Sequence, residues 1–361
     1  MEISPFPYHG PLEPDQVHGR DDLVADVLER ATARRVTAIL GPRRYGKTSL
    51  LQKVAAELRV GGAAIVWIDL YEVASIVDVA VRIDDALAGL TGPLAASANK
   101  IAAGLDINLG VVKVHFASRD RPDPEAVLHS RIDVLVRAAL AHPTVIVIDE
   151  FSGIVRVPGF AGLLRTKLQH HFQEIGLLFA GSEPSTMRTL FTDRDEPFYA
   201  QADLVHIGPL DRVAVADIVG AGFRSTGRDA GNLAGLIHQF SGGHPQRTMQ
   251  LADAAWRAAT PGDRFDMSVW DAAVADIRRA TASGNERIYS SFENREKDVL
   301  RVLASGGSIF GRAAELLDVS NGAAQTARAS LLASGDIIEV DRTYELVDPV
   351  LADWIRQRLP I

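Results

Sequence analysis

The strongest constraint on this 361-residue chain is one octapeptide: Gly41, Pro42, Arg43, Arg44, Tyr45, Gly46, Lys47 and Thr48. It fills every fixed position of the pattern G-x-x-x-x-G-K-[ST]. Its flanks matter as much as its letters. Residues 36–40 are a short apolar run that predicts a strand, and residues 47–60 carry a helical pattern stopped by Gly61 and Gly62. A strand that passes through a glycine-rich turn into a helix N-terminus points successive backbone N–H groups inward as an anion nest, and the helix dipole reinforces it. The two glycines permit positive φ angles and close approach of backbone to phosphate. Lys47 is the group expected to reach the β- and γ-phosphates of a bound nucleotide, and Thr48 the hydroxyl expected on Mg²⁺. Pro42, Arg43, Arg44, Tyr45 and Ser49 complete the expected nucleotide-contacting segment. Arg43 and Arg44 stand at variable positions and are read as solvated or touching a neighbouring loop.

Further short apolar runs follow at 64–70, 145–148, 177–180 and 204–207, with helical patterns between them. Strands alternating with helices predict a parallel sheet with helices on both faces, a three-layer αβα P-loop NTPase core. Residues 145–148 are four β-branched residues in a row, as a strand buried on both faces requires. Asp21 and Asp22 are placed to cap a helix running to about Arg34, and residues 75–90 predict another. The segment 94–122 breaks the rhythm. Leu105, Ile107 and Leu109, then Val112, Val114 and Phe116, alternate on either side of Gly110. That pattern predicts an inserted β-hairpin near 104–116. From Leu210 to about Ala280 the pattern is purely helical, interrupted by Ser241, Gly242, Gly243, His244 and Pro245.

The run 145–148 ends in Asp149 and Glu150, and chemistry in an open parallel sheet collects at the carboxyl ends of strands. About 100 residues after a full phosphate loop, this pair points to metal binding through Asp149 and water activation through Glu150. Ser182 follows the next strand. It is a candidate for contact with the attacking water or the γ-phosphate, and equally for capping the helix near Pro184. The cofactors expected are ATP or ADP and Mg²⁺.

Composition narrows the setting. The net charge is −8, so the basic excess typical of nucleic-acid binders is missing. There are no cysteines, which removes disulfides and thiolate metal sites. No apolar run reaches the roughly 18 residues needed to span a bilayer, and the N-terminus lacks the layout of a signal peptide. A cytoplasmic location without membrane contact is the expectation.

These motifs resemble those of the archaeal-type ATPase family within the AAA+ and STAND assemblage, relatives of the origin-recognition initiators. The resemblance covers nearly the whole chain. It rests on Val17-His18-Gly19-Arg20, residues 41–50, Ile148-Asp149-Glu150-Phe151, Ala180-Gly181-Ser182, Phe198-Tyr199 and Gly243-His244-Pro245. It implies an ATPase core over 1–208, a helical lid over 209–284 and a winged helix over 285–361. It further implies that Val17 and Gly19 lie near the adenine, that Pro245 is a lid contact, and that Arg247 is placed as a lid arginine sensing the γ-phosphate or else as a solvated helix residue. The sequence departs from the family at Gln201, where an arginine commonly stands. An arginine finger can contribute 10³–10⁵ in rate, so slow turnover is expected unless Arg188 or Arg194 substitutes.

The C-terminal pattern is itself that of a winged helix-turn-helix. Helices at 293–304 and 310–317 precede a third that Ser320 can cap, and two short strands at 337–340 and 344–347 lead to a closing helix with Trp354 inward. The third helix carries Asn321, Gln325 and Arg328 on its expected outer side. From 286 to 361 there are 9 basic and 12 acidic residues, a net charge of −3, which argues for a protein partner over DNA. Three functions are therefore distinguished: an ATP-driven switch acting on a protein partner, an initiator-like DNA-binding ATPase, and a small-molecule kinase. The acidic pair, the lid and the winged helix oppose the last. The resemblance leaves an oligomer open: AAA+ relatives often form rings that share a finger between subunits, and the missing arginine at Gln201 makes such sharing less secure here.

Overall fold

The computed structural model describes residues 2–112, 122–340 and 342–361. By its internal contacts the chain divides into two compact units. One comprises Asp21–Gly41 and Lys47–Ile207, the other Met1–Arg20, Pro42–Gly46 and Gly208–Ile361.

The first unit contains, in order, α1 (Asp21–Thr32), β1 (Thr37–Leu40), α2 (Lys47–Val60), β2 (Ala64–Asp69), α3 (Ile76–Ala88), α4 (Gly92–Gly104), α5 (Pro124–Leu140), β3 (Thr144–Asp149), α6 (Phe160–Leu168), β4 (Gly176–Ala180), α7 (Pro184–Thr192) and β5 (Asp203–His206). The strands form one five-stranded sheet in the order β2-β3-β4-β1-β5, with every neighbouring pair parallel. Parallel strands joined by helical crossovers need both faces covered. Accordingly β1, β3 and β4 are buried along their whole length. Helix α1 packs with α2, while α3 and α4 pack on α5, giving the αβα layering expected. Because all strands run the same way, Leu40, Asp149 and Ala180 end on one edge of the sheet. β4 lies between β1 and β3, so its C-terminus sits between the phosphate loop's strand and the acidic pair.

Four phenylalanines lock that edge. Phe151, Phe179, Phe191 and Phe198 are all buried, with ring centroids 4.5–5.9 Å apart. Phe151 follows Glu150 directly and opens a short 3₁₀ helix, Phe151–Arg156.

The expected hairpin is corrected over its described part. Residues 92–104 are helix α4, and the backbone then turns: Leu105 N–H reaches back to Ile101 O and Ala102 O, and Ile107 N–H to Ala102 O at 2.8 Å. The alternation arises because Ile107 and Leu109 dip onto the core between exposed turn residues, not because they pleat. A buried ion pair holds this turn. Arg131 Nε donates to Asp84 Oδ1 at 2.7 Å, Arg131 Nη2 to Asn108 O at 2.9 Å, and Val112 N–H to Asp84 Oδ2 at 3.1 Å. The hairpin's second arm, including Val114 and Phe116, lies outside the described residues. Asp21 begins α1 as a first-turn acid favouring the helix dipole, not as its cap, and the helix ends at Thr32 with Arg34 at φ 57°.

The second unit continues with α8 (Arg212–Ser225), α9 (Leu233–Ser241), α10 (Pro245–Ala258), α11 (Met267–Ser291), α12 (Asn294–Ala304), α13 (Arg312–Leu316), α14 (Asn321–Ser334), β6 (Ile337–Val340), β7 (Thr343–Leu346) and α15 (Pro349–Arg358). Two apolar clusters are found among its described residues. Val215, Phe223, Leu233, Leu251 and Trp256 belong to one, joined by Phe6 from the N-terminal segment. Leu300, Leu331, Ile337 and Ile355 belong to the other. Ser320 caps α14 by accepting from Ala323 N–H at 3.3 Å, and β6 and β7 pair antiparallel. Arg328 is half-buried and engaged by β7. Its guanidinium lies 5.4 Å from the Tyr344 ring centroid and donates to Tyr344 Oη at 3.3 Å. A guanidinium at that distance is attracted by the negative face of the ring.

Candidate nucleotide site

The phosphate loop leaves β1 at Gly41. A Cβ there would stand 2.4 Å from Ile207 Cγ2 and 2.7 Å from Ile207 O, so only glycine fits against β5's exit. Gly46 has φ 86°, in the left-handed region that a side chain disfavours, and the loop turns there into α2. Lys47 is buried, and its ammonium donates to Gly41 O at 2.7 Å, bridging the two ends of the loop.

Thr48 Oγ1 donates to Asp149 Oδ2 at 2.8 Å, while Asp149 Oδ1 accepts from Glu150 N–H at 3.0 Å. Asp149 is 4% exposed. Burial pushes its carboxyl up to about 6, with the nearby acids Glu150 and Asp69 adding to the rise and the two hydrogen bonds opposing it. Asp69 pairs with Asp149 across β2 and β3 and brings another acid to this edge. Its signal in the sequence was the same as for Asp149, an acid closing an apolar run.

Glu150 has φ 51°, a strained setting for a residue with a side chain. Its Oε2 accepts from Ser182 Oγ at 2.6 Å and from Ser182 N–H at 3.1 Å. Ser182 is therefore not the cap of α7. Glu183 holds that place and makes no side-chain cap. Arg156, which sequence reasoning passed over, sits in the 3₁₀ helix and pairs with Glu183 at 3.1 Å. Arg188 and Arg194 are exposed, and Gln201 donates to Tyr199 O.

Thr48 and Asp149 are oxygen ligands of the kind a hard divalent cation takes. Mg²⁺ commonly uses one or two protein oxygens and fills its remaining positions with water and phosphate. Among the described residues no group of three or more His, Asp or Glu side chains is gathered to hold a metal. A site of this kind thus fits Mg²⁺ brought with a nucleotide better than a resident structural ion. The buried carboxyl of Asp149 also fits, because a cation beside it offsets the burial penalty.

The remaining expected residues lie in the second unit. Val17 and Gly19 are held beside Arg20, whose guanidinium donates to Gly208 O at 2.6 Å and Pro209 O at 3.3 Å. Tyr45 is buried, its ring centroid 5.0 Å from that of His244 and edge-on to it, and burial pushes its hydroxyl up to about 12. His244 caps α10, with Nδ1 accepting from Arg247 N–H at 3.3 Å, and Pro245 opens the helix where no N–H is needed. Arg247 is 7% exposed, so it is not a solvated helix residue. Its Nε and Nη2 both reach Asp348, Nε at 3.0 Å.

Solved structures share this fold over nearly the whole chain. A Walker-type ATPase of Pyrococcus abyssi superposes with a TM-score of 0.73 at 18% identity, covering 98% of this chain and 99% of that one. The Orc2 protein of Aeropyrum pernix in its ADP form gives 0.54 at 15% identity, covering 98% and 97%. The Orc1 protein of Aeropyrum pernix in complex with DNA gives 0.52 at 15% identity, covering 95% and 93%. No family model matches the chain, and no curated protein matches it. At these identities the likeness is one of fold. The chain is an α/β protein with the P-loop NTPase fold of these ATPases. Among the described residues no helix is long and apolar enough to cross a membrane.

Proposed function

We propose that this protein binds ATP with Mg²⁺ and hydrolyses it slowly, as a switch of the AAA+ and STAND type. The observation that carries the reading is the set of contacts at one sheet edge. Thr48 meets Asp149 at 2.8 Å, and Glu150, the next residue, is held by Ser182 at 2.6 Å. In this reading the amides of 41–48 and the Lys47 ammonium hold the phosphates. Thr48 and Asp149 hold Mg²⁺, which supplies charge neutralisation at the phosphate oxygens when bound. Glu150 accepts a proton from the attacking water, and Ser182 fixes the direction in which that carboxylate points. The lack of a basic residue at Gln201 supports slow turnover. Residues 1–208 act as core, 209–284 as lid and 285–361 as winged helix, with Val17 and Gly19 as adenine-side residues, Pro245 as a lid contact and Arg247 as a lid arginine sensing the γ-phosphate. The nucleotide state is coupled through lid and winged helix to a protein partner.

A second reading, ATP-dependent DNA binding, draws on the likeness to a structure solved with DNA. The engagement of Arg328 by Tyr344 and the net charge of −3 over 286–361 speak against it. Retention of mixed duplexes at low salt with ATP present would favour DNA, and its absence the protein partner.

The test of the site uses two substitutions. Lys47→Ala should abolish nucleotide binding. Glu150→Gln should retain ATP while release of free phosphate stops. Wild-type phosphate release by Glu150→Gln would show that another group activates the water, and a phosphorylated acceptor in place of free phosphate would indicate a kinase.

A further inference from the structure

Glu150 and Ser182 meet at the site, and the two chain segments that leave them meet again at the surface of the first unit. From Glu150 the backbone runs directly into the 3₁₀ helix Phe151–Arg156, and Gly153 N–H donates to Glu150 O at 2.9 Å. From Ser182 a single extended residue, Glu183, leads into α7. Arg156 is the last residue of the 3₁₀ helix, and its Nη2 donates to Glu183 Oε1 at 3.1 Å. Glu183 Oε2 accepts from Thr186 Oγ1 at 3.0 Å. Both carboxylate oxygens are thus engaged, and neither turns back to cap the helix. The result is a closed ring. It runs from Glu150 through the 3₁₀ helix to the ion pair, then to Ser182 and back through the 2.6 Å hydroxyl bond.

The inside of this ring is tightly packed. Phe151 lies 4.5 Å from Phe179 and 5.3 Å from Phe198 between ring centroids. Gly181 is wedged: a Cβ there would stand 2.5 Å from Met187 Sδ of α7 and 3.1 Å from Ser152 N of the 3₁₀ helix. A shift of the 3₁₀ helix against α7 is therefore passed to the stretch 181–183 that carries Ser182. Two properties of the 3₁₀ helix require that its outer end be held. Its hydrogen-bond geometry is poorer than that of an α-helix. It also starts from Glu150 in left-handed backbone, which persists only where the surroundings fix it. Phe151 and Ile154 hold the buried side, and Arg156 with Glu183 holds the exposed end.

We propose that Arg156 positions Glu150 for the attacking water, acting through Glu183 and Ser182. This rests on the ATP-hydrolysis reading and adds a residue that no sequence motif marked. Arg156 is a positioning residue, since its ion pair is with Glu183 and not with Glu150 or Ser182. With the pair made, residues 182–183 keep the Ser182 hydroxyl on Glu150 Oε2. With the pair lost, the 3₁₀ helix and Glu183 part at the surface, and the carboxylate loses its fixed direction. The two side chains are 51% and 36% exposed, and an ion pair so placed contributes little to stability. Its effect on rate is the more sensitive one, because misplacing a reacting group by about 1 Å can cost about 100-fold.

Steady-state phosphate release is measured for Arg156→Ala, Arg156→Lys and Ser182→Ala, and for Arg156→Ala combined with Ser182→Ala. Arg156→Ala should lower kcat about fourfold, the scale of an exposed ion pair, with KM nearly unchanged. Arg156→Lys keeps the charge and one donor, which is all the single 3.1 Å contact uses, and should restore most of the loss. Added to Ser182→Ala, Arg156→Ala should cost nothing further, because its effect runs through that hydroxyl. A merely structural role would lower kcat by the same factor with or without Ser182, raise KM, or leave lysine as poor as alanine. Each of those results overturns the inference, as does a loss of kcat smaller than about twofold. Should Arg156→Ala fail to fold, Glu183→Gln keeps the size of the side chain without its charge. It is measured with and without Ser182→Ala and should lower kcat only where Ser182 is present; no loss there overturns the inference. Wild-type protein that releases no phosphate, or Glu150→Gln that releases it at the wild-type rate, overturns the reading of the site itself. That is a separate outcome from a working site indifferent to Arg156.

Discussion

Asp149 and Glu150 are neighbours in the chain and opposites in environment. Asp149 is buried and takes its hydrogen bonds from Thr48 and the next amide, while Glu150 turns through a left-handed backbone to meet Ser182. That division suits a metal ligand beside a group that must meet water. Ser182→Ala tests it. The backbone amide of residue 182 would still hold Glu150, but the 2.6 Å hydroxyl bond that sets the carboxylate's direction is lost. Turnover should fall about tenfold with KM nearly unchanged, as expected when only a transition-state arrangement is disturbed. Steady-state phosphate release reads this out, and a rise in KM at constant kcat would place Ser182 in nucleotide binding instead. At this scale the sequence was readable where neighbouring groups are consecutive residues, as in 41–48 and 149–150, which the fold sets at the ends of β1 and β3. It was not readable for Ser182, 32 residues from its partner, where helix capping and site contact looked alike until the cap was seen to be absent.

Helix α10 shows an element whose start depends on protonation. Nδ1 of His244 accepts the Arg247 N–H, so that nitrogen must be free of a proton. Burial foremost, with the charges of Arg247 and Arg44 adding and that of Asp348 opposing, pushes the ring down to about 4 from 6.5. The folded state thus binds a proton less readily than the unfolded chain. Its contribution to stability is full above pH 6.5 and is lost as pH falls through about 4, by up to about 3 kcal/mol. His244→Asn keeps a capping acceptor that does not titrate. Denaturant melts at pH 7 and pH 4.5 should show a smaller loss for the variant than for wild type, and equal losses would remove His244 as the cause. The sequence marked the Gly243-His244-Pro245 turn and the helix after it. The alternation at 105–109 misled because two apolar residues touching the core at a turn mimic the period of a strand, and the Asp84 and Arg131 pair that holds the turn joins residues 47 apart.

At the scale of the whole molecule, a ligand that binds only the folded state adds stability by mass action, about 2.7 kcal/mol at 100 times its dissociation constant. Mg·ADP should therefore raise the melting temperature by a few degrees, and Lys47→Ala should melt at the same temperature with and without it. Scanning calorimetry across an ADP titration decides this, and an unmoved wild-type transition at saturating ADP would count against the site. The division of labour between sequence and fold follows from the range of the forces involved. Strand runs, helix periods, the loop and the acids at a strand's end lie within short windows, where backbone geometry and burial period act on adjacent residues. These determined the α/β class, the parallel sheet and the position of the candidate site. Only the tertiary structure decided which polar side chains face each other. Arg247 and Asp348, Arg131 and Asp84, and Ser182 and Glu150 each look in sequence like residues that water would satisfy. They became partners because packing of distant apolar faces brought them together and shielded them, wholly or in part, from water.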